Sequence, residues 1–123
     1  MCVKVYEKCK PFKKADRAMQ KCIYERLIRL EDKIVSTGYT DVNLIFSDDS
    51  ITYDRISDEL YIYKTHGRDN QQIRIVYGYD GSNIYLVDFV NKKANNKQYL
   101  SDLGSKFRNM NLCDMNFFEV RFA

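Results

Sequence analysis

An amphipathic stripe in the first third of the chain constrains its fold most strongly. The apolar residues recur every three or four positions, which is the spacing of one face of an α-helix. Residue 11 is a proline, which suits a first helical turn, and Gly38 is typical of a residue that ends a helix in the left-handed conformation. The stripe predicts a helix over residues 11–37, continuous or broken near its middle, and consists of Ala15, Met19, Cys22, Ile23, Leu27, Leu30 and Ile34.

Three strand-like runs follow, and they could supply the apolar surface that this stripe needs. Residues 60–65 and 72–79 are rich in β-branched and aromatic side chains, and a polar turn through Gly67 separates them. Asp80-Gly81 is a strong hairpin signal before a third run over residues 83–90. The sequence therefore predicts a three-stranded antiparallel meander.

The C-terminal part adds a second helix and a last strand. Tyr99, Leu100, Leu103 and Phe107 lie at helical spacing within residues 97–108, and residues 117–122 resemble an edge strand. We predict an α+β fold: a basic N-terminal helix or helical hairpin packed on a small antiparallel sheet, with a short C-terminal helix and strand. At 123 residues the chain fits one domain, in which residues 101–123 form a structural extension.

Composition narrows the class of protein. No apolar run approaches the roughly 20 residues that span a bilayer, and the charged start lacks the apolar stretch of a signal peptide, so we expect a cytoplasmic protein with no membrane partner. The four cysteines show no zinc-binding spacing with the single histidine. We expect free, mostly buried thiols, no metal and no cofactor.

Charge is distributed unevenly although the net charge is only +3. Residues 1–33 carry ten Lys or Arg against five Asp or Glu, residues 34–63 carry one against six, and residues 64–123 carry nine against six. If the fold joins the two basic ends, their surface could meet a polyanion. A solvated charged surface is the alternative.

Strand alternation gathers basic side chains on one face of the meander. Side chains two apart point the same way, so Lys64, His66 and Arg74 share the face that turns away from the helix. Lys92 and Lys93 follow the third strand at its rim, and Tyr99 comes shortly after. The candidates for catalysis are thus Arg74, Lys64, Lys92, Tyr99 and His66, and those for RNA binding are Lys93, Lys97, Lys13, Lys14 and Arg68.

Such a concave cluster could hold the phosphodiester of RNA without a metal. Arg74 and a lysine would stabilise the charge that develops as a 2′-hydroxyl attacks phosphorus, and a lysine, a tyrosine or His66 would transfer protons. Each residue also has a plain structural interpretation. Arg74 could be an exposed arginine paired with a carboxylate, His66 an ordinary turn residue, and the helix lysines a solvated surface.

The order of elements and three sequence segments resemble the RelE/ParE toxin superfamily, most closely its HigB-like and phage-encoded branch. The resemblance covers about residues 6–100. Its segments are Phe12-Lys13-Lys14, then Leu60-Tyr61-Ile62-Tyr63-Lys64 with Ile73-Arg74-Ile75-Val76-Tyr77, and finally Ile84-Tyr85-Leu86-Val87-Asp88-Phe89-Val90-Asn91-Lys92-Lys93.

The resemblance implies an endoribonuclease that cuts messenger RNA, usually on the ribosome, and is neutralised by an antitoxin protein. It matches Arg74 to the family's strand arginine, Lys64 to the basic residue that ends the preceding strand, and Lys92 or Lys93 to a later basic pair. Tyr99 matches the family's late tyrosine. The alternative is a non-catalytic interaction protein of the same fold, either a ParE-type gyrase inhibitor or a phage or host binding module.

Overall fold

The structure is a computed structural model that describes residues 2–41, 45, 56–67, 71–90 and 96–122, and it describes the backbone alone at residues 96–100. The elements follow one another as β1 (Val3–Tyr6), α1 (Lys10–Lys14), α2 (Arg17–Thr37), β2 (Tyr61–His66), β3 (Gln72–Tyr79), β4 (Ile84–Val90), α3 (Asn96–Phe107), a 3₁₀ turn (Leu112–Asp114) and β5 (Phe117–Val120). This is the predicted α+β class, with helices and strands in the predicted order after β1.

The predicted N-terminal helix is a pair of helices, and the break lies near its start and not at its middle. Asp16 adopts an extended conformation between α1 and α2, and its carboxylate accepts the backbone N–H of Met19 at 2.7 Å. That hydrogen bond satisfies one free N–H of the first turn of α2. At the other end Gly38 has φ of 78°, and its N–H donates to the Ile34 carbonyl at 2.8 Å. The predicted left-handed C-cap is confirmed.

The sheet contains five strands in the order β2-β3-β4-β1-β5. The predicted antiparallel meander of β2, β3 and β4 is confirmed, and β5 joins the edge by pairing antiparallel with β1. The strand β1 was missed by the sequence analysis, because four residues that include Lys4 give too short a pattern. It pairs parallel with β4, with Val3 opposite Ile84 and Val5 opposite Leu86, so the sheet is mostly antiparallel.

We call the side of the sheet that packs on α2 the helical face. The register aligns Tyr77 with Leu86 and Ile75 with Phe89, and these side chains continue the row of Val3 and Val5. Ile23, Leu27, Leu30 and Ile34 of α2 are buried, which confirms the predicted stripe. Ile73, Ile75, Tyr77 and Tyr79 of β3 lie on this helical face, as strand alternation predicts.

The other side, which we call the opposite face, is also covered. It carries Ile62, Arg74, Val76 and Gly78, and the structure buries all four residues. The C-terminal segment, residues 96–116, contributes buried apolar side chains on this side: Leu103, Phe107, Leu112 and Met115. Arg74 is therefore covered and does not lie on an exposed face of the sheet.

The path of the C-terminal segment follows β3. α3 begins six residues after Val90, the residue of β4 that pairs with Arg74. Later in α3, the charge of Lys106 acts on Asp88, which pairs with Val76. Further along, a Cβ atom on Gly78 would lie 3.0 Å from Leu112 Cδ2 and 3.2 Å from the carbonyl oxygen of Glu59. Glycine thus permits the close approach of Leu112, and the segment lies over the opposite face between Asp88 and Gly78.

The four cysteines are free thiols, but their burial differs from the prediction. Cys9 is buried, Cys2 and Cys22 are half-buried, and Cys113 is exposed. No group of three or more His, Cys, Asp or Glu with the geometry of a metal site occurs within the described ranges. In the same ranges, no helix combines the length and the apolar character needed to cross a membrane.

Candidate functional site

Arg74 is the most unusual residue of the opposite face. It is 4% exposed, and its Nε and Nη1 atoms have no hydrogen-bond partner in the part of the chain that the structure describes. An unpaired polar group removed from water costs free energy, and a charged group costs more. The alternative that Arg74 is an exposed arginine paired with a carboxylate is therefore wrong.

Lys64 increases the positive charge next to this guanidinium. It lies directly opposite Arg74 in the β2–β3 register and is half-buried. Like charges on directly opposed strand positions repel each other, so the pair is unfavourable unless an anion lies between or beside them. Among the described residues the ion pairs are Lys4 with Glu119 and Arg121 with Glu119, and neither involves this pair of cations.

His66 and Asp88 flank Arg74 on the same face. His66 pairs with Gln72 at the end of β2, which makes it a diagonal neighbour of Arg74, and its side chain is exposed. Asp88 of β4 pairs with Val76, which makes it the diagonal neighbour on the other strand and towards the other end. Diagonal neighbours on one face are separated by roughly 7 to 8 Å, within reach of long side chains.

The carboxyl group of Asp88 lies in an environment that favours its neutral form. Burial raises the pKa of Asp88, while the Lys106 ammonium and the Phe89 backbone N–H offset part of that rise. The Phe89 N–H donates to Asp88 Oδ1 at 2.9 Å, and it is the one hydrogen bond to this carboxyl group within the described residues. The second oxygen, Oδ2, accepts no hydrogen bond from the described residues.

Cys9 lies near this carboxyl group, just before α1. It is buried, and desolvation raises the pKa of its thiol to about 12, with a smaller contribution from the charge of Asp88. A thiol with such a pKa stays neutral at physiological pH and is a poor nucleophile. Cys9 is thus a packing residue beside the site.

The other predicted site residues do not all join this cluster. Lys13 and Lys14 belong to α1 and are exposed; Lys14 lines a shallow depression with Met19 and Phe89, on the helical side of the sheet. That depression also includes Val90, which pairs with Arg74 in the sheet. Arg68, Lys92 and Lys93 lie outside the described residues, and Lys97 and Tyr99 lie in α3, where the side chains are not described.

The structure therefore brings together three of the predicted residues, Arg74, Lys64 and His66, and adds Asp88. Sequence reasoning missed Asp88 because it considered only basic and aromatic residues on that face. The signal was present in the sequence: at alternate positions after Ile84 and Leu86, where strand alternation predicts another apolar residue, the chain has the carboxylate Asp88. A β-bulge at Val76/Tyr77 shifts the pairing and sets Asp88 on the opposite face.

Comparison of the chain with protein-family models, with curated proteins and with solved structures yields no match.

Proposed function

We propose that the chain is a toxin-like endoribonuclease that cleaves messenger RNA in the cytoplasm, on or near the ribosome, without a metal or other cofactor, and that an antitoxin protein neutralises it. In this proposal Arg74 and Lys64 bind the scissile phosphodiester, and His66 assists proton transfer. The RelE-like resemblance in the sequence motivates the reaction class. The buried, unpartnered guanidinium of Arg74 is the observation that carries the proposal.

The chemistry of that guanidinium supports an oxyanion ligand. A guanidinium presents fixed N–H donors that match the oxygens of a phosphate, and such charge-assisted hydrogen bonds are among the strongest in proteins. A phosphate at Arg74 would supply acceptors for Nε and Nη1 and would also relieve the repulsion between Arg74 and Lys64. In a site with little water, the same donors would stabilise charge that develops on phosphorus oxygens during cleavage.

The burial of Arg74 favours a second candidate, a non-catalytic interaction protein. Because Arg74 is 4% exposed, RNA reaches it only if part of the cover over the opposite face shifts. If that cover is permanent, the fold would act through its outer surface, as a gyrase inhibitor or as a phage or host binding module.

Induced expression in bacteria tests the proposal. Wild type, Arg74→Met and the control Arg29→Met are compared for growth and for new 5′ ends in cellular messages; Arg29 is exposed on α2, far from the opposite face. We expect growth arrest with new cleavage ends for wild type and the control, and loss of both with Arg74→Met. DNA damage with intact messages would indicate the gyrase inhibitor, and unimpaired growth with soluble protein would indicate the binding module.

A further inference from the structure

Asp88 and His66 lie on opposite sides of Arg74, and this placement suggests how protons move at the site. The register pairs Lys64 with Arg74, so His66 is displaced from Arg74 towards Gln72 and Asp88 is displaced towards Val76. From strand spacing and rise, the two Cα atoms are on the order of 16 Å apart across three strands. Both side chains lie on the face that carries the guanidinium, and a phosphodiester reaches the position between them only if part of the cover over that face shifts.

An RNA phosphodiester needs this kind of arrangement to react without a metal. The attacking 2′-oxygen and the leaving 5′-oxygen lie on opposite sides of phosphorus, so a base and an acid must approach from two sides. His66 is exposed at the strand end, and its neutral imidazole can accept a proton. A donor is needed on the other side, and of the titratable groups on the opposite face Asp88 lies there.

We propose that Asp88 is the general acid of this site and protonates the leaving 5′-oxygen, while His66 takes the proton of the 2′-hydroxyl. This inference rests on the proposed ribonuclease function. The bond between the 2′-oxygen and phosphorus forms as the bond between phosphorus and the 5′-oxygen breaks. The products are a 2′,3′-cyclic phosphate and a 5′-hydroxyl, and Asp88 is left as a carboxylate beside a protonated His66. Exchange with water restores both groups.

The surroundings of Asp88 suit this role. Lys106 of α3 and the Cys9 thiol lie close to it from two other elements, and Arg74 of β3 is its diagonal neighbour in the sheet. Burial outweighs the two lowering influences and raises the pKa of the carboxyl group, so it keeps its proton to a higher pH than an exposed aspartate. A neutral carboxyl group can also approach a phosphate without repulsion. Its Oδ1 is held by the Phe89 N–H at 2.9 Å, and Oδ2, which accepts no hydrogen bond from the described residues, can carry the proton.

A change of leaving group tests the role of Asp88 directly. The substrates are two RNA oligonucleotides that contain the same cleavage site, first mapped on cellular messages: one has the ordinary 5′-oxygen linkage, and one has sulfur in place of that bridging oxygen. A thiolate leaves without a proton, so its departure does not need a general acid. Full-length wild type, Asp88→Asn and the control Asp32→Asn are assayed on both, with and without ribosomes; Asp32 is exposed on α2.

We expect Asp88→Asn to cleave the ordinary RNA about 10² to 10⁴ times more slowly than wild type and to cleave the sulfur-linked RNA at nearly the wild-type rate. The control should match wild type on both. Equal loss on both substrates would assign Asp88 a structural role and overturn the inference, as would wild-type rates on both.

Failure of the underlying function gives a different result. Wild type that cleaves neither RNA, together with Arg74→Met that binds RNA as well as wild type does, would overturn the ribonuclease proposal itself. Cleavage that depends on Arg74 but not on Asp88 would leave that proposal standing and remove only the general acid.

Discussion

The two faces of the sheet are both covered, but they are built from different residues. The helical face is mainly apolar, with Val5 of β1 and Leu86 of β4 close to Leu27 of α2. The opposite face combines apolar residues such as Val76 with a buried arginine and a half-buried aspartate. Both faces bury apolar groups, yet only the opposite face also buries a charged side chain.

The difference separates the residues that stabilise the fold from the residues to which we assign function. Apolar burial contributes about 25 cal/mol for each Å² removed from water, and the helical face gains this without an opposing cost. On the opposite face part of that gain is offset by an unpartnered guanidinium. Groups that are unfavourable for folding persist at sites where a ligand needs them. The opposite face is therefore the one to which we assign function.

The largest expected effect comes from breaking the helical face. Leu27 is fully buried, so Leu27→Ala should leave a cavity and lower the free energy of unfolding by about 2 to 5 kcal/mol. Val35→Ala on the same helix is the control, because Val35 is 69% exposed. It should change stability by less than about 0.5 kcal/mol. Urea titration followed by circular dichroism measures both, and equal effects would contradict the assignment of the helical face as the main core.

A smaller effect of opposite sign is expected from the opposite face. Replacing Arg74 by methionine, which is of similar length and apolar, removes two unsatisfied donors. An unsatisfied buried polar group costs about 1 to 3 kcal/mol, so Arg74→Met should raise the free energy of unfolding by about that amount. The measurement is the same urea titration. If the variant is less stable than wild type, Arg74 has an acceptor in the free protein and the site is not preformed for an anion.

The sequence predicted the elements of the fold better than the environment of the site. Periodicity in residues 15–34 and alternation in β3 identify elements and faces, because helical and strand spacings are local properties. That Lys64 and Arg74 share a face also followed from strand alternation. The burial of the opposite face did not, because it depends on how the C-terminal segment returns over the sheet. That return is a long-range packing choice, and no local pattern in the sequence specifies it.

The smallest expected effect is the pH dependence contributed by Asp88. Its pKa is raised in the folded protein by burial, so the folded state binds this proton more tightly than the unfolded state does. The contribution to the free energy of unfolding therefore falls as pH rises from the ordinary pKa of 3.8 to the raised value, and it stays constant above that. The Asp88→Asn variant has no carboxyl group to lose this proton. Its free energy of unfolding relative to wild type should therefore increase across that pH window and remain higher at pH 7.

Thermal unfolding of wild type, Asp88→Asn and the control Asp32→Asn at a series of pH values between 3 and 8 measures this difference. The two variants lose the same charge, but Asp32 is exposed on α2, so only Asp88→Asn should show a gain that grows with pH. A gain at pH 7 together with loss of cleavage would place Asp88 with Arg74 among the residues that lower stability and serve the site. If Asp88→Asn is instead less stable than wild type at pH 7, the attraction between Asp88 and Lys106 outweighs burial, and the carboxylate stabilises the cover of the opposite face.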